Sequence, residues 1–335
     1  MIRKFTILLA RQSWFRKLVM STPVLRDLAG RFVGGDDLPA ALTAVRRLNA
    51  RGIQGSVNLH GMHATDEREA KGAADEAIAA LRRIREEGLG SHVSVKLTKI
   101  GLDLDLAFCR TQLRRILDCA AETGGFVRID MEEAIYIEET LRMFEEMQDL
   151  YGNGAVGAVI QSYLRHRSGD LDRLMDRGAR IRLVKGGYRE SRGLVFRNKA
   201  EIDAAFERDI ERLLKRGTSP AIATHDVDAI AWTRTLQERL GLGKDAFEFQ
   251  MLYGVEPDLQ ESLVADGYAV RCYIPYGGDW TTHLFGCLRR IPAAALSRFA
   301  RSASGRGRTD SNHGLPGAIR PRPEAAVDRR PGVPE

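Results

Sequence analysis

Eight short apolar runs recur along the chain, with helix-like segments between them. The runs are GIQGSVNLHG, HVSVKL, FVRIDM, GAVIQSY, RIRLVKG, PAIATHD, FEFQMLYG and YAVRCYIPYG. Between them, DEREAKGAADEAIAALRRIREEG, EEAIYIEETLRMFEEMQ and KAEIDAAFERDIERLLKRG repeat apolar residues at spacings of three and four, the period of one helix face. Several of these segments end in glycine, the residue that most easily takes the left-handed backbone beyond a helix terminus. Strands that alternate with helices imply parallel β-α units. Eight such units predict an α/β fold of the closed (βα)8, or TIM-type, barrel, because eight parallel strands enclose an interior that their own side chains fill. The competing arrangement, an open doubly wound sheet, usually carries a glycine-rich phosphate loop after its first strand. The sequence there is HGMHATD, with no G-x-G-x-x-G, which favours the barrel.

The same pattern divides the chain. DLPAALTAVRRLNARG (37–52) is helical in period and precedes the first run, so residues 1–52 are read as a helical lead-in and 53–300 as the barrel. From residue 301 the periodicity stops in a Gly- and Pro-rich stretch with seven arginines against four acids, read as a disordered basic tail. The first 26 residues carry Arg3, Lys4, Arg11, Arg16, Lys17 and Arg26 and no acid, interleaved with Ile2, Phe5, Leu9, Phe15, Leu18 and Val19. That pattern suits a basic amphipathic helix on anionic lipid, a transit-like segment, or a helix packed on the domain. An apolar content of 44% and a charged content of 29% are those of a soluble globular protein. No run approaches the roughly eighteen apolar residues of a spanning helix. Cys109, Cys119, Cys272 and Cys287 form no C-x-x-C pair, so they read as packing thiols of a cytoplasmic protein. No nucleic-acid-binding motif is present.

Barrel enzymes do their chemistry at the carboxyl ends of the strands. The second run ends in Lys96, the third carries Asp130, and the fourth ends in Gln161, Ser162 and Tyr163. The fifth delivers Arg182, Lys185 and Tyr188, and the sixth Thr224, His225 and Asp226. The seventh offers Glu248, Gln250, Leu252 and Tyr253, the eighth Tyr273 and Tyr276, and CLRRIP then adds Arg289 and Arg290. His60 and His63 make no H-x-H, so no metal centre is expected, and no G-x-S-x-G marks a serine nucleophile. The set is rich in cations, amides and phenols. A diphosphate cofactor together with a substrate carboxylate would account for them, since paired guanidinium groups hold carboxylates bidentately. Singly, each residue also has a plain role as a salt-bridge partner, a cap or a packing group. A barrel that handles phosphorylated sugars or acts as an aldolase through Lys96 or Lys185, and a non-catalytic barrel, are the other readings.

SVKLTKIGL, IQSYLRHRSGDL, RLVKGGYRES, ATHD, FEFQMLYG and CYIPYG…LRR, in this order from about Leu28 to Pro292, resemble the proline dehydrogenase family of flavoenzymes. LAGRFVGGDDLPAALTAVRRLNARG resembles the lead-in of its bacterial single-function members, and no aldehyde dehydrogenase half is expected. The resemblance implies non-covalently bound FAD. Arg182 would lie beside the flavin ring toward N5, Lys185 near the ribityl and phosphate side, and Gln161 at the pyrimidine edge. Thr224 and His225 would hold the adenosine half, with Lys199 of FRNKAEID and Gln250 also at the cofactor. Arg289 and Arg290, helped by Lys96, would clamp the carboxylate of L-proline. Tyr188, Leu252 and Tyr273 would wall the ring, and Asp130 would organise the cations beneath.

The implied reaction is oxidation of proline to Δ1-pyrroline-5-carboxylate, with electrons passed to a quinone. The basic N-terminal segment would suit a cytoplasmic enzyme peripheral to the inner membrane face. Two positions depart from the family pattern. Met62, in LHGMH, stands where the family has the glutamate of L-G-E, and Gly286 stands where a tyrosine is usual three residues before the arginine pair. Another cyclic amino acid, such as hydroxyproline, is therefore an alternative substrate.

Overall fold

The computed structural model describes residues 32–277. The basic N-terminal segment, the C-terminal tail, Cys287, Gly286, Arg289 and Arg290 lie outside the described residues. Eight parallel strands close in sequence order into one barrel. They are β1 (Gln54–Leu59), β2 (Ser91–Val95), β3 (Val127–Ile129), β4 (Val156–Gln161), β5 (Arg180–Val184), β6 (Thr218–Ala223), β7 (Glu248–Leu252) and β8 (Ala269–Tyr276). Helix α1 (Leu38–Asn49) precedes β1. In each later gap between strands runs one helix: α2 (Glu67–Glu86), α3 (Leu106–Thr123), α4 (Ile137–Tyr151), α5 (Ser168–Asp176), α6 (Lys199–Arg216), α7 (Val227–Arg239) and α8 (Pro257–Ala265). The ring closes where β1 pairs with β8, Ser56 opposite Tyr273 and Asn58 opposite Pro275. Each of the eight apolar runs thus contains a strand. Among the described residues no helix is long and apolar enough to cross a membrane.

Local chemistry sets the helix ends. Asp37, Asp66 and Asp105 sit in extended backbone and accept from Ala40, Glu69 and Phe108 N–H groups, which starts α1, α2 and α3. Gly124 ends α3 in the left-handed region. One expected helix is shorter than its pattern. The period predicts a helix over 132–148, yet α4 begins at Ile137 after a 3-10 turn at Ala134–Tyr136. The side chain of Glu132 instead accepts from the Thr98 N–H and hydroxyl, and the Ala134 N–H donates to Glu190. Those tertiary bonds hold the segment as a strand-exit loop.

Strand alternation separates two environments. Ile181, Leu183, Ile222, Phe249 and Ile274, each 0% exposed, belong to the apolar core that the helices cover. Their strand neighbours face the lumen, and there the chain is polar. Ser56, Asn58, Ser94, Arg128, Asp130, Arg182, Gln250 and Arg271 are all buried. A barrel interior is ordinarily filled by branched apolar residues. Buried charge is tolerable only where it is paired and hydrogen-bonded, so the barrel's stability depends on the lumen's polar network.

Candidate active site

Asp130, one residue past β3, is the hub of the network. It accepts from Arg182 Nη1 at 2.8 Å, from Tyr273 Oη at 2.7 Å and from Lys96 Nζ at 3.1 Å. These donors come from β5, β8 and the exit of β2, so the carboxylate ties three parts of the barrel wall together. Arg182 spans the lumen: its Nε donates to Gln250 Oε1 at 2.5 Å, and its Nη2 reaches Ser94 Oγ at 3.2 Å and Ser56 Oγ at 3.4 Å. Its guanidinium also lies 5.3 Å from the Tyr273 ring centroid. Burial opposes ionisation of Asp130, but Lys96, Arg182 and the Tyr273 hydroxyl outweigh it and hold the carboxyl below its usual range. Burial likewise opposes the charge on Lys96, and Asp130 overcomes it, so the ammonium is held well above the ordinary lysine value. Burial and then Asp130 push the Tyr273 phenol upward, and it stays a donor. Two cations share one carboxylate here, leaving one positive charge to offer a ligand.

A second cluster lies at the exits of β5 and β6. Lys185 Nζ donates to Asp203 at 2.5 Å and to Asp226 at 2.6 Å, and Lys199 also donates to Asp203. Burial raises both carboxyls, but the lysines prevail and hold them low. Two lysines against two aspartates balance, so Lys185 has its anions within the chain. The Thr224 hydroxyl accepts from the Asp226 N–H at 3.0 Å. His225 Nε2 accepts from the Leu252 N–H at 2.8 Å, which puts its ring proton on Nδ1 and links the exits of β6 and β7. Gln161 donates to the Glu132 carbonyl at 2.9 Å. Behind it the chain turns tightly at Gly186 (φ 104°), where an added Cβ would stand 2.1 Å from the Tyr163 ring. Tyr188 follows in this loop, and burial pushes its phenol up to about 12.

The structure therefore brings Lys96, Asp130, Arg182, Gln250 and Tyr273 into one network. Lys185, Lys199 and Thr224 sit around the Asp203 and Asp226 pair. Sequence reasoning did not single out Ser56, Ser94 or Asp203. The serines were within reach, because they occupy lumen-facing positions two residues before Asn58 and Lys96. Among the described residues, His63, Glu132 and Glu133 bring possible metal-ligand atoms within 4.8 Å of one another. Glu132 is already bonded to Thr98, and His63 Nδ1 is 2.6 Å from Asp103.

His60, just past β1, is held by its N–H on the Tyr276 carbonyl at 2.8 Å. Burial first, and then Lys96 and Lys99, push its imidazole down to about 4 from 6.5. The unfolded chain therefore binds a proton that the folded chain refuses between those two values. This contribution to stability is full above pH 6.5 and is lost as the pH falls toward 4. Its size is about 3 kcal/mol. His60→Asn is expected to flatten that part of the acid limb in urea unfolding at pH 7, 5.5 and 4.5. An unchanged slope would assign the acid sensitivity to other groups.

A closed parallel barrel with ionised groups gathered at its strand exits defines an enzyme barrel. Residues 41–284 match the family model for proline dehydrogenase. Proline dehydrogenase 1 of Bacillus subtilis is 39% identical over 267 residues, covering 80% of this chain and 88% of that protein. Proline dehydrogenase of Deinococcus radiodurans is 37% identical over 276 residues, with the same two coverages of 80% and 88%. The crystal structure of proline utilization A (PutA) from Bdellovibrio bacteriovorus inactivated by N-propargylglycine superposes with a TM-score of 0.75 at 27% identity. That match covers 83% of this chain and 34% of the PutA chain. The chain belongs to the proline dehydrogenase family. It is an oxidoreductase of that family, whose reaction is the oxidation of proline in proline catabolism.

Proposed function

We propose that the chain oxidises L-proline to Δ1-pyrroline-5-carboxylate with FAD as its cofactor and a quinone as electron acceptor. The observation that carries this reading is the Asp130 hub, a cationic, hydrogen-bonded floor beneath the strand exits. The donor set fits a flavin dinucleotide. The Arg182 guanidinium, the amides of Gln161 and Gln250, the Thr224 hydroxyl and the His225 imidazole suit its ring edge and ribityl hydroxyls, and Lys185 and Lys199 would meet its phosphates by exchanging Asp203 and Asp226 for them. When bound, FAD would supply the acceptor for a hydride from proline C5 at its N5 atom.

The protein's part is positioning and charge. Lys96 keeps its proton and, with Arg289 and Arg290, would hold the substrate carboxylate. Tyr188, Leu252 and Tyr273 would wall the ring. Fixing the carboxylate aligns the ring, which converts binding energy into orientation. The same cations lower the pKa of the substrate amine by like-charge repulsion, so its proton can pass to water. Asp130 accepts three donors, which commits it to holding Lys96 and Arg182 in place rather than to acting as a base. Transfer of electrons to a quinone would suit a cytoplasmic enzyme at the inner membrane face. Met62 is 73% exposed on the first exit loop and brings no carboxylate there to oppose the clamp.

The test is a flavin spectrum of the purified protein together with dye reduction driven by L-proline and by hydroxyproline. Flavin bands, with a kcat/KM at least tenfold higher for proline, are expected. A colourless protein with no proline-dependent turnover after FAD is added would refute the reading. A preference for hydroxyproline would move the assignment to that substrate.

A further inference from the structure

At the opposite end of the lumen from the strand exits, the described residues bury more positive charge than they balance. Arg128 of β3 is 1% exposed and Arg271 of β8 is 4% exposed, and Arg180 opens β5 beside them, half-buried. Arg128 and Arg180 share one aromatic partner, with guanidinium carbons 4.8 and 4.2 Å from the Phe126 ring centroid. Burial first, and then neighbouring arginines, push the Arg128 and Arg180 guanidinium groups below their ordinary values, and Glu248 is the carboxylate that opposes this for both. That carboxylate is already engaged by Arg271 Nε at 3.0 and 3.1 Å and by the Gln250 amide. Arg271 also donates to the Gly55 carbonyl at 2.8 Å, while Arg128 Nη1 donates to the carbonyls of Ala158 at 3.0 Å and Arg180 at 2.5 Å. Among the described residues, three guanidinium charges against one carboxylate leave two positive charges. Two donors remain unsatisfied among the described residues, where the Nε atoms of Arg128 and Arg180 are buried without a hydrogen-bond partner. The neighbouring His92 cannot answer them with charge; burial and the surrounding arginines keep it neutral.

We propose that this end of the barrel binds a small divalent oxyanion of the phosphate or sulfate class between Arg128, Arg180 and Arg271. A dianion matches the two uncompensated charges. Its oxygens accept guanidinium N–H groups in the short, charge-assisted geometry that a burial this deep requires. The ligand must be small, because Arg128 is sealed beneath Phe126 and the β4 backbone. A Cβ added at Gly157 would stand 2.6 Å from Arg128 Nη1. The site lies at the strand starts, and the hydrogen bonds from Glu248 through Gln250 to Arg182 connect it to the Asp130 hub.

The experiment replaces chloride stepwise by phosphate or sulfate at fixed ionic strength and follows the melting temperature of the purified full-length protein. A rise that grows with the logarithm of the anion concentration, on the order of 5 °C at one hundred times the dissociation constant, is expected. Arg180→Gln should abolish this logarithmic part while leaving proline turnover unchanged. Titration calorimetry of the unaltered protein with phosphate should give one site per chain, a readout that holds even if the variant fails to fold. A rise that is linear and equal in both proteins is a general salt effect and overturns the proposal. A logarithmic rise that survives in Arg180→Gln, or calorimetry with no binding heat at tens of millimolar phosphate, overturns it as well.

Discussion

Asp130→Asn is expected to cost about 3–5 kcal/mol of folding free energy at neutral pH, the range for breaking a buried ion pair from one side. Asp130 is 6% exposed and is the ion-pair partner of both Lys96 and Arg182. Asparagine is nearly isosteric, so the loss would come from leaving two buried cations without their counter-charge rather than from a cavity. The pH dependence gives a second readout. The folded-state pKa of Asp130 lies below 3.8, so its stabilisation is full above that value and disappears as the pH falls through the folded pKa. The gap between wild type and variant should therefore be widest near neutrality and close in strong acid. Urea unfolding at several pH values measures it. A variant within about 1 kcal/mol of wild type at pH 7 would mean that the cations find other partners and that Asp130 is not the hub.

The sequence made the barrel legible because its signal is repeated. Eight apolar runs separated by helical periods leave little choice of topology, and each run holds an observed strand. The site was legible in part for the same reason. Lys96, Asp130 and Gln250 stand near strand exits, and barrel chemistry gathers there. What stayed hidden depends on contacts between distant residues. Lys185 reads as a cation in need of an external anion, but α6 returns Asp203 to it at 2.5 Å, and Asp226 comes from the next strand exit. No local pattern records that pairing. The start of α4 was misplaced because Glu132 fits a helical period while Thr98, 34 residues earlier, captures its side chain. The arginines at the strand starts escaped notice for another reason. Arg128 and Arg271 sit in apolar runs where an isolated charge reads as a solvent-facing position, and only closure of the ring turns it inward.

Arg182→Met should separate chemistry from binding more sharply than any other single change. Arg182 is 5% exposed and joins Asp130, Gln250, Ser94 and Ser56 across the lumen. Methionine approximates the length of its stem and brings no donor. Asp130 would keep Lys96 and Tyr273, so the hub survives with two of its three donors, and the fold should persist with a lowered melting temperature. The guanidinium's proposed place is beside the flavin ring, where negative charge develops during turnover. Losing such a preorganised donor typically costs 10²–10³ in kcat. A kcat lowered by roughly that factor is therefore expected, or else a flavin-to-protein absorbance ratio well below wild type, with a smaller change in KM. Lys96→Met should show the opposite split, with KM rising more than kcat falls, because its ammonium is assigned to the substrate carboxylate. Arg182→Lys should not rescue the loss, since a single ammonium cannot reproduce the fork that meets Asp130 and Gln250 together. Steady-state kinetics with a dye acceptor, run beside the flavin spectrum, reads all three variants. If Arg182→Met kept wild-type kcat with full flavin, the guanidinium would be a structural strut of the lumen, and the catalytic charge would have to come from elsewhere at the strand exits.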